Sequence, residues 1–395
     1  MPWKTITMTE TRRAFVRRAL AKGANLSALC REFGVTRKTG RKWRDRARTS
    51  GMAALKERSR RPLHSPHRLQ EEEVCHLVML RSAWPTWGPK KLCQLYEENL
   101  GRALSLSTCH RILKACGLVA ERKVRVRRPA ALSVAAYVAH EPNDVWTIDF
   151  KGWWRLKNGG RCEPFTVRDA FSRFVLCAHV PTDTGAATIG KQMNALFRQY
   201  GLPKVIKSDN GSPFAATTTP LGLTRLSAGW VALGIQLEHS RPAHPQDNGA
   251  HERMHRDIDA EVAAHIQVDA TAQQAALDIW RDEFNRIRPH EHLQGRRPAQ
   301  VYHASPRSLP KTPWELDYGP GYLPRRVASA GDIRFRGSRT FISAALAHQS
   351  VALRLRDAAT AEVWFNYLLI GTINLNTKRF DSAPSRSVKA LGVAA

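Results

Sequence analysis

Apolar residues change their period twice along this chain, near Pro142 and after Tyr318, and each change limits what the segment can fold into. Before Pro142 they recur at helical spacing. Between Pro142 and about residue 300, short apolar runs alternate with helical stretches. Beyond Tyr318, Val327, Ile333, Phe335, Val351, Leu353, Leu355, Val363, Phe365 and Leu368 fall in short alternating stretches parted by polar or Gly-containing turns. Three fold types in series follow: all-α units, then an α/β domain, then a small all-β barrel or sandwich. A chain of 395 residues is long enough for two to four domains. The expected boundaries are 1–58, 66–119, a basic linker at 120–141, 142–300 and 318–395.

The first all-α unit has a helix-turn-helix pattern. A helix through Phe15 precedes a second, for which Ser27 is the expected cap and which carries Leu29, Cys30 and Phe33. Gly34-Val35-Thr36 then turns the chain into a third helix. That last helix offers Arg37, Lys38, Arg41, Lys42 and Arg44 to phosphates and base edges of a major groove. A second, weaker unit breaks at Trp84-Pro85-Thr86-Trp87-Gly88-Pro89 and resumes through Leu92, Leu95 and Tyr96, with Ser107-Thr108 opening a further helix that Gly117 ends. The two tryptophans read as core or hinge residues. In the linker, Arg122, Lys123, Arg125, Arg127 and Arg128 form a basic run suited to phosphates.

Charge points to the same partner. Lys and Arg number 62 against 34 Asp and Glu, a formal charge of +28 that attracts a polyanion. No stretch reaches the roughly 18 apolar residues of a membrane span, and Arg12, Arg13, Arg17 and Arg18 interrupt any apolar leader, so a cytoplasmic, DNA-associated chain is expected. Seven scattered cysteines read as reduced, mostly buried thiols.

Within the α/β domain, Val145–Phe150, Phe165–Val167, Phe174–Val180, Lys204–Lys207 and Gly234–His239 read as strands. Ile189, Met193, Leu196 and Phe197 mark a helix over one face, and Ile279, Trp280 and Phe284 fit the packed stripe of another. Residues 215–230 have weak periodicity and read as an insertion.

An aspartate inside an apolar strand needs compensation for its buried charge. Asp149 is such a residue, and a metal ion would supply that compensation. Asp209 stands at another strand end, and Glu252 lies one turn into a helix that starts near Asn248. Hard oxygen ligands suit Mg²⁺, with Mn²⁺ able to substitute. Two ions about 4 Å apart activate an attacking water or 3′-hydroxyl and stabilise the leaving oxygen in displacement at phosphorus. Asp149 as the bridge, with Asp209 and Glu252 completing the two ion sites, is the economical arrangement; capping or salt-bridge roles are the alternative for any such acids.

Thr147-Ile148-Asp149-Phe150, Ser208-Asp209-Asn210-Gly211 and the phrase from His239 to Arg256 resemble the three signature blocks of the DDE integrase and transposase superfamily. The last block is similar to bacterial insertion-sequence transposases of the IS481 and IS3 type. That resemblance implies an RNase H-like catalytic domain, use of Mg²⁺, and action as a multimer, at least a dimer, that brings terminal inverted repeats to target DNA. Between Asp209 and Glu252 stand 42 residues, more than the family's usual gap; residues 217–229 account for the excess and suggest an enlarged loop beside the active site. Around the third acid, Arg253 and Arg256 are expected at phosphates near the cut strand. Asn210, His244, Gln246, Asn248 and His255 are expected as auxiliary groups. His251 and His255 lie four apart, the wrong spacing for a His-Glu-x-x-His zinc motif, and are expected in phosphate contacts or in hydrogen bonds behind the acids.

Overall fold

The computed structural model describes residues 7–57, 68–119, 137–240, 248–311 and 316–383. Residues 1–70 and 71–395 form two compact units.

In the first unit, helix α1 (Met8–Ala19) opens with a capping box between Thr7 and Glu10. Helix α2 (Leu26–Glu32) is capped by Asn25, whose side chain accepts from the main chain of Ser27 and Ala28, so the cap stands two residues ahead of the expected Ser27. Gly34 takes φ +64° in the turn, and α3 (Arg37–Ser50) starts on Thr36. Phe15, Val16, Leu29, Cys30, Trp43, Ala47 and Leu55 pack between the three helices. Gly40 lets α3 approach closely: a Cβ there would lie 2.4 Å from the Cys30 sulfur.

The second unit begins with α4 (Glu71–Ala83), α5 (Pro89–Leu100) and α6 (Leu106–Ala115), around Leu77, Trp87, Leu92, Tyr96 and Leu113. Ser105, two residues ahead of the expected opening, caps α6. Trp87 is buried and stacks on Trp84, centroids 4.9 Å apart. Helix α5 is fastened to a later loop: Gln94 donates to the Gly295 carbonyl at 2.7 Å, and Arg297 pairs with Glu98.

A mixed sheet follows. Strand β1 (Val145–Phe150) leads through a short hairpin, β2 (Trp154–Arg155) and β3 (Arg161–Cys162), to β4 (Phe165–Asp169) and β5 (Val175–His179). Helix α7 (Ala186–Tyr200) crosses to β6 (Val205–Ser208), and α8 (Arg225–Ala232) to β7 (Gln236–His239). The strand order is β5-β4-β1-β6-β7. The first three strands are antiparallel, and β6 and β7 add in parallel to β1. This is the RNase H-like arrangement. Helices α9 (Gly249–Ile258) and α10 (Ala270–Arg286) complete the layer, and α11 (Pro298–Val301) follows.

Alternation along β1 makes the sheet two-faced. Trp146 and Ile148 point with Phe165 and Val167 into a core under α7, closed by Ile189, Met193, Leu196 and Phe197. Thr147 and Asp149 take the opposite face, where Met254 and Ile258 of α9 and Leu277, Trp280 and Phe284 of α10 pack beside Val175 and Ala178. Ile279, expected in that stripe, is 65% exposed; Leu277 takes the inward position.

Residues 215–230 are more than an insertion. They contain most of α8, which begins with a Thr224/Ser227 capping box and connects the parallel strands β6 and β7. Trp230 faces the sheet core, whereas Leu221, Leu223, Ala228 and Val231 join the C-terminal core. Apolar residues on two sides of one short helix explain the weak periodicity. The expected enlarged loop is in this structure the base on which the last domain sits.

That domain comprises β8 (Leu323–Arg326), β9 (Asp332–Phe335), β10 (Ser338–Phe341), β11 (Ser350–Leu355), β12 (Thr360–Phe365), β13 (Leu368–Asn374) and β14 (Arg379–Ser382). Five strands form one antiparallel sheet in the order β14-β13-β12-β11-β8, and β9 and β10 form a separate hairpin. The hairpin lies between the β8 and β14 edges, so the barrel is closed by packing and not by one continuous ladder. Asn366 donates to the Val231 carbonyl at 2.7 Å and the Tyr367 hydroxyl to the Ile235 carbonyl at 3.1 Å, tying this sheet to α8.

Candidate active site

The polar face of β1 and β4 carries the chemistry. Asp149 pairs across the ladder with Thr166, and Thr147 with Arg168. All four side chains meet the first turns of α9, which bring Glu252, His251 and His255. Asp209 follows the end of β6, and its carboxylate folds over Gly211, where a Cβ would come within 2.9 Å.

Asp149 senses its neighbours. Its carboxyl is pushed up to about 7, first by burial and then by the negative charges of Asp209 and Glu252, against a main-chain hydrogen bond from Phe150 and the Lys151 cation, which lower it. Asp209 and Glu252 thus stand near enough to Asp149 for their charges to act on it. Lys151 is engaged elsewhere, 2.8 Å from Asp259.

Behind the carboxylates stands a closed hydrogen-bond network. The Thr166 hydroxyl donates to the Asp149 carbonyl oxygen at 3.0 Å and meets Nε2 of His251 at 2.7 Å and Nε2 of His255 at 2.8 Å. A hydroxyl has one proton, so both imidazoles donate to it through Nε2–H. His251 Nδ1 then accepts from the Thr147 hydroxyl at 2.8 Å, a shorter contact than the 3.2 Å from that hydroxyl to the Arg168 carbonyl. The two rings meet edge to face at 4.7 Å.

Both histidines are neutral. Burial, then His255 and Arg168, hold His251 well below the ordinary imidazole value; burial, then Lys151 and Arg168, push His255 down to about 3. The 3.9 Å approach of His255 Nδ1 to the Asp149 carboxylate is thus no ion pair. Asp149, His251 and His255 are close enough for a metal cluster. Both nitrogens of His251 and Nε2 of His255 are occupied by threonines, which leaves His255 Nδ1 and the Asp149 carboxylate as the open donors of that group. Of the two expected roles of His251 and His255, phosphate contacts or hydrogen bonds behind the acids, this geometry has the second, with both rings buried.

Arg168 is a buried cation held down to about 9 by burial and by Arg173. It donates to the Ala250 carbonyl, at the start of α9 and two residues before Glu252. Thr147, Thr166 and Arg168 were not singled out in the sequence. Their signal was the alternation that sets Thr147 beside Asp149, but naming Thr166 and Arg168 requires the cross-strand register.

The remaining expected residues are dispersed. Arg37, Lys38, Arg41 and Lys42 are exposed on α3, whereas Arg44 is half-buried and paired with Asp45 at 2.8 Å. Arg253 and Arg256 are exposed on α9, and Asn248 stands at its N-cap without a side-chain capping bond. Asn210 donates to the Ser240 carbonyl and links the chain segments after β6 and β7. Arg122, Lys123, Arg125, Arg127, Arg128, His244 and Gln246 lie outside the described residues.

Residues 139–245 match an integrase core domain family, and residues 233–298 match a second integrase core domain family. Asp149 and Asp209 fall in the first match and Glu252 in the second. A helix-turn-helix domain family matches residues 11–62, and a homeodomain-like domain family matches 39–113. The chain thus carries helix-turn-helix domains and an integrase core. Its relatives include an uncharacterized 31.7 kDa protein of insertion element IS407 from Burkholderia multivorans, 24% identical over 247 residues, or 61% of this chain and 86% of the relative. Another is an uncharacterized 39.2 kDa protein of insertion element IS476 from Xanthomonas euvesicatoria, 28% identical over 232 residues; there the match spans 56% of this chain and 57% of the relative. Among solved structures, the catalytic core domain of BIV integrase aligns over 40% of this chain and 93% of its own length, at 26% identity and a TM-score of 0.32. None of the described helices is long and apolar enough to cross a membrane.

Proposed function

We propose that this integrase-core protein is a transposase that binds the terminal inverted repeats of a mobile element, cleaves at their 3′ ends and transfers those ends into target DNA. The observation that carries the reading is the electrostatic convergence of Asp209 and Glu252 on the buried Asp149, whose carboxyl is pushed up to about 7 although Lys151 acts against the rise. Such a cluster suits divalent cations, and Asp149, Asp209 and Glu252 would hold two Mg²⁺, or Mn²⁺ in their place. When bound, such ions supply a more acidic attacking water or 3′-hydroxyl and a stabilised leaving oxygen.

The chain's own residues do the rest. Arg37, Lys38, Arg41 and Lys42 on α3 read and hold an end; residues 1–119 suffice for that binding. Arg253 and Arg256, exposed beside Glu252, steady the phosphates flanking the cut. The neutral His251 and His255, locked by Thr147 and Thr166, fix the face of α9 that presents Glu252, and Arg168 pins its first turn. One triad serves one scissile phosphate at a time, so joining two ends calls for at least two copies on DNA, in the cytoplasm of a bacterial host.

The test uses the purified full chain, the element's own end sequence and Mg²⁺. Asp149→Asn, Asp209→Asn and Glu252→Gln are each expected to abolish cleavage and joining while binding to the end persists. Retained cleavage by one variant removes that residue from the triad. A wild type that cuts without joining is a nuclease, and the reading fails.

A further inference from the structure

Four residues beyond Asp149 the chain presents an indole to solvent. Trp153 is 53% exposed and is the one exposed tryptophan among the described residues. An indole left in water forgoes a large burial gain, and Trp and Tyr rank high among residues that anchor binding surfaces. Its surroundings are built. Gly152 turns the chain at φ +85°, while the adjacent Trp154 packs inward against the α9 and α10 core. The hairpin that follows is pinned to the body of the domain, with Lys157 and Asn158 donating to the Gln267 and Val268 carbonyls at 3.1 and 3.0 Å. Trp153 therefore sits on a rigid support.

Two guanidiniums lie near the ring, Arg161 at 5.1 Å from its centroid and Arg155 at 5.9 Å, with Arg161 also paired to Glu163 at 2.6 Å. Both arginines are themselves exposed, and Lys157 adds a third cation to the same hairpin. An exposed aromatic ring beside cations suits a nucleic-acid strand: a π-face for a base of any identity and positive charge for neighbouring phosphates. An apolar protein partner would not call for this charge. The chain from Asp149 to Trp153 reaches at most about 14 Å, two or three nucleotides of an extended strand.

We propose that Trp153, with Arg155 and Arg161, is a stacking platform for a DNA base that leaves the helix next to the scissile phosphate. The assignment rests on the functional reading above, because it takes Asp149 as the position of the reacting strand. Stacking there holds the end frayed and the phosphate presented, without choosing among bases. The platform positions substrate and takes no part in bond exchange.

The experiment places 2-aminopurine at each of the last few nucleotides of the element's end in turn, with the full-length chain as wild type, Trp153→Ala and Trp153→Phe. Circular dichroism and melting of each variant establish that it folds. The expected result is quenching of 2-aminopurine at one or two positions beside the cut by the wild type and by Trp153→Phe. Trp153→Ala loses this quenching and loses joining by roughly 5- to 100-fold. Its joining rises toward wild type on an end whose terminal bases are already unpaired. A Trp153→Ala protein that folds, quenches and joins like wild type overturns the proposal, as does a joining loss with unchanged quenching. Quenching is read without Mg²⁺ and does not need catalysis. A wild type that quenches but never joins thus sinks the transposase reading and leaves the platform standing.

Discussion

Thr166 stands directly across the antiparallel ladder from Asp149 and donates its hydroxyl proton to the Asp149 carbonyl oxygen, 3.0 Å away. One side chain thereby ties the strand bearing the first acid to the helix bearing the third, since the same oxygen accepts from His251 and His255.

Thr166→Val keeps the shape and removes that oxygen. Two buried imidazole N–H groups lose their acceptor, each at about 1–3 kcal/mol. Melting is expected to fall by roughly 5–15 °C, and end cleavage at least about ten-fold. Thr166→Ser, which restores the hydroxyl, is expected to recover most of both. A valine variant that melts with wild type would show the network to be idle.

Asp149 gives stability a pH signature. Its carboxyl, ordinarily near 3.8, is raised to about 7 in the folded chain. The folded state therefore holds this proton more tightly than the unfolded state. The stabilising contribution is complete below about pH 4, declines as pH rises, and is gone above about 7. Asp149→Asn does not titrate. In metal-free buffer its melting advantage over wild type should widen from pH 4 to pH 7 and then level. Adding Mg²⁺ at pH 8 should raise the wild type and narrow the difference. A difference that is the same at pH 4.5 and pH 8 contradicts the shift.

Arg288 is 2% exposed and lies 5.1 Å from the Trp87 centroid. It pairs with Asp257 at 2.9 Å and with Glu261, at the C-terminal end of α9 and just beyond it. Glu261 also accepts from the Trp280 indole at 2.8 Å. Arg288→Met strands two carboxylates and is expected to destabilise by about 3–5 kcal/mol. Arg288→Lys should recover only part, because an ammonium cannot form two forked pairs and stack at once. Thermal melting of the full chain reads both, and a methionine variant within 1–2 °C of wild type would show that the clamp adds nothing.

Much of the fold was legible locally. The caps at Thr36 and in the turn at Gly34 act over three or four residues, so the third helix of the first unit could be read from them. The alternation Trp146, Thr147, Ile148, Asp149 states that one face is apolar and the other is not, and it puts an uncompensated acid on the polar one. Where several residues compete locally, the reading slipped: Asn25 reaches two main-chain donors and takes the cap from Ser27. At residues 215–230 a helix with two apolar sides hid its period, because the partner on the second side is a sheet some hundred residues later.

By itself, then, the sequence determined the element types, the charge of the partner and the identity of Asp149, Asp209 and Glu252 as acids set apart at strand and helix ends. Tertiary structure decided that Thr166 faces Asp149, that His251 and His255 form the hydrogen bonds behind it, and that Trp153 stays in water while Trp154 does not. The physical reason is range. Caps, turns and periodicity are settled by neighbours within one helical turn. Ladder register, burial and the proton affinity of a carboxyl depend on groups brought together from distant parts of the chain, and those exist only once the sheet has formed and α9 has closed over its polar face.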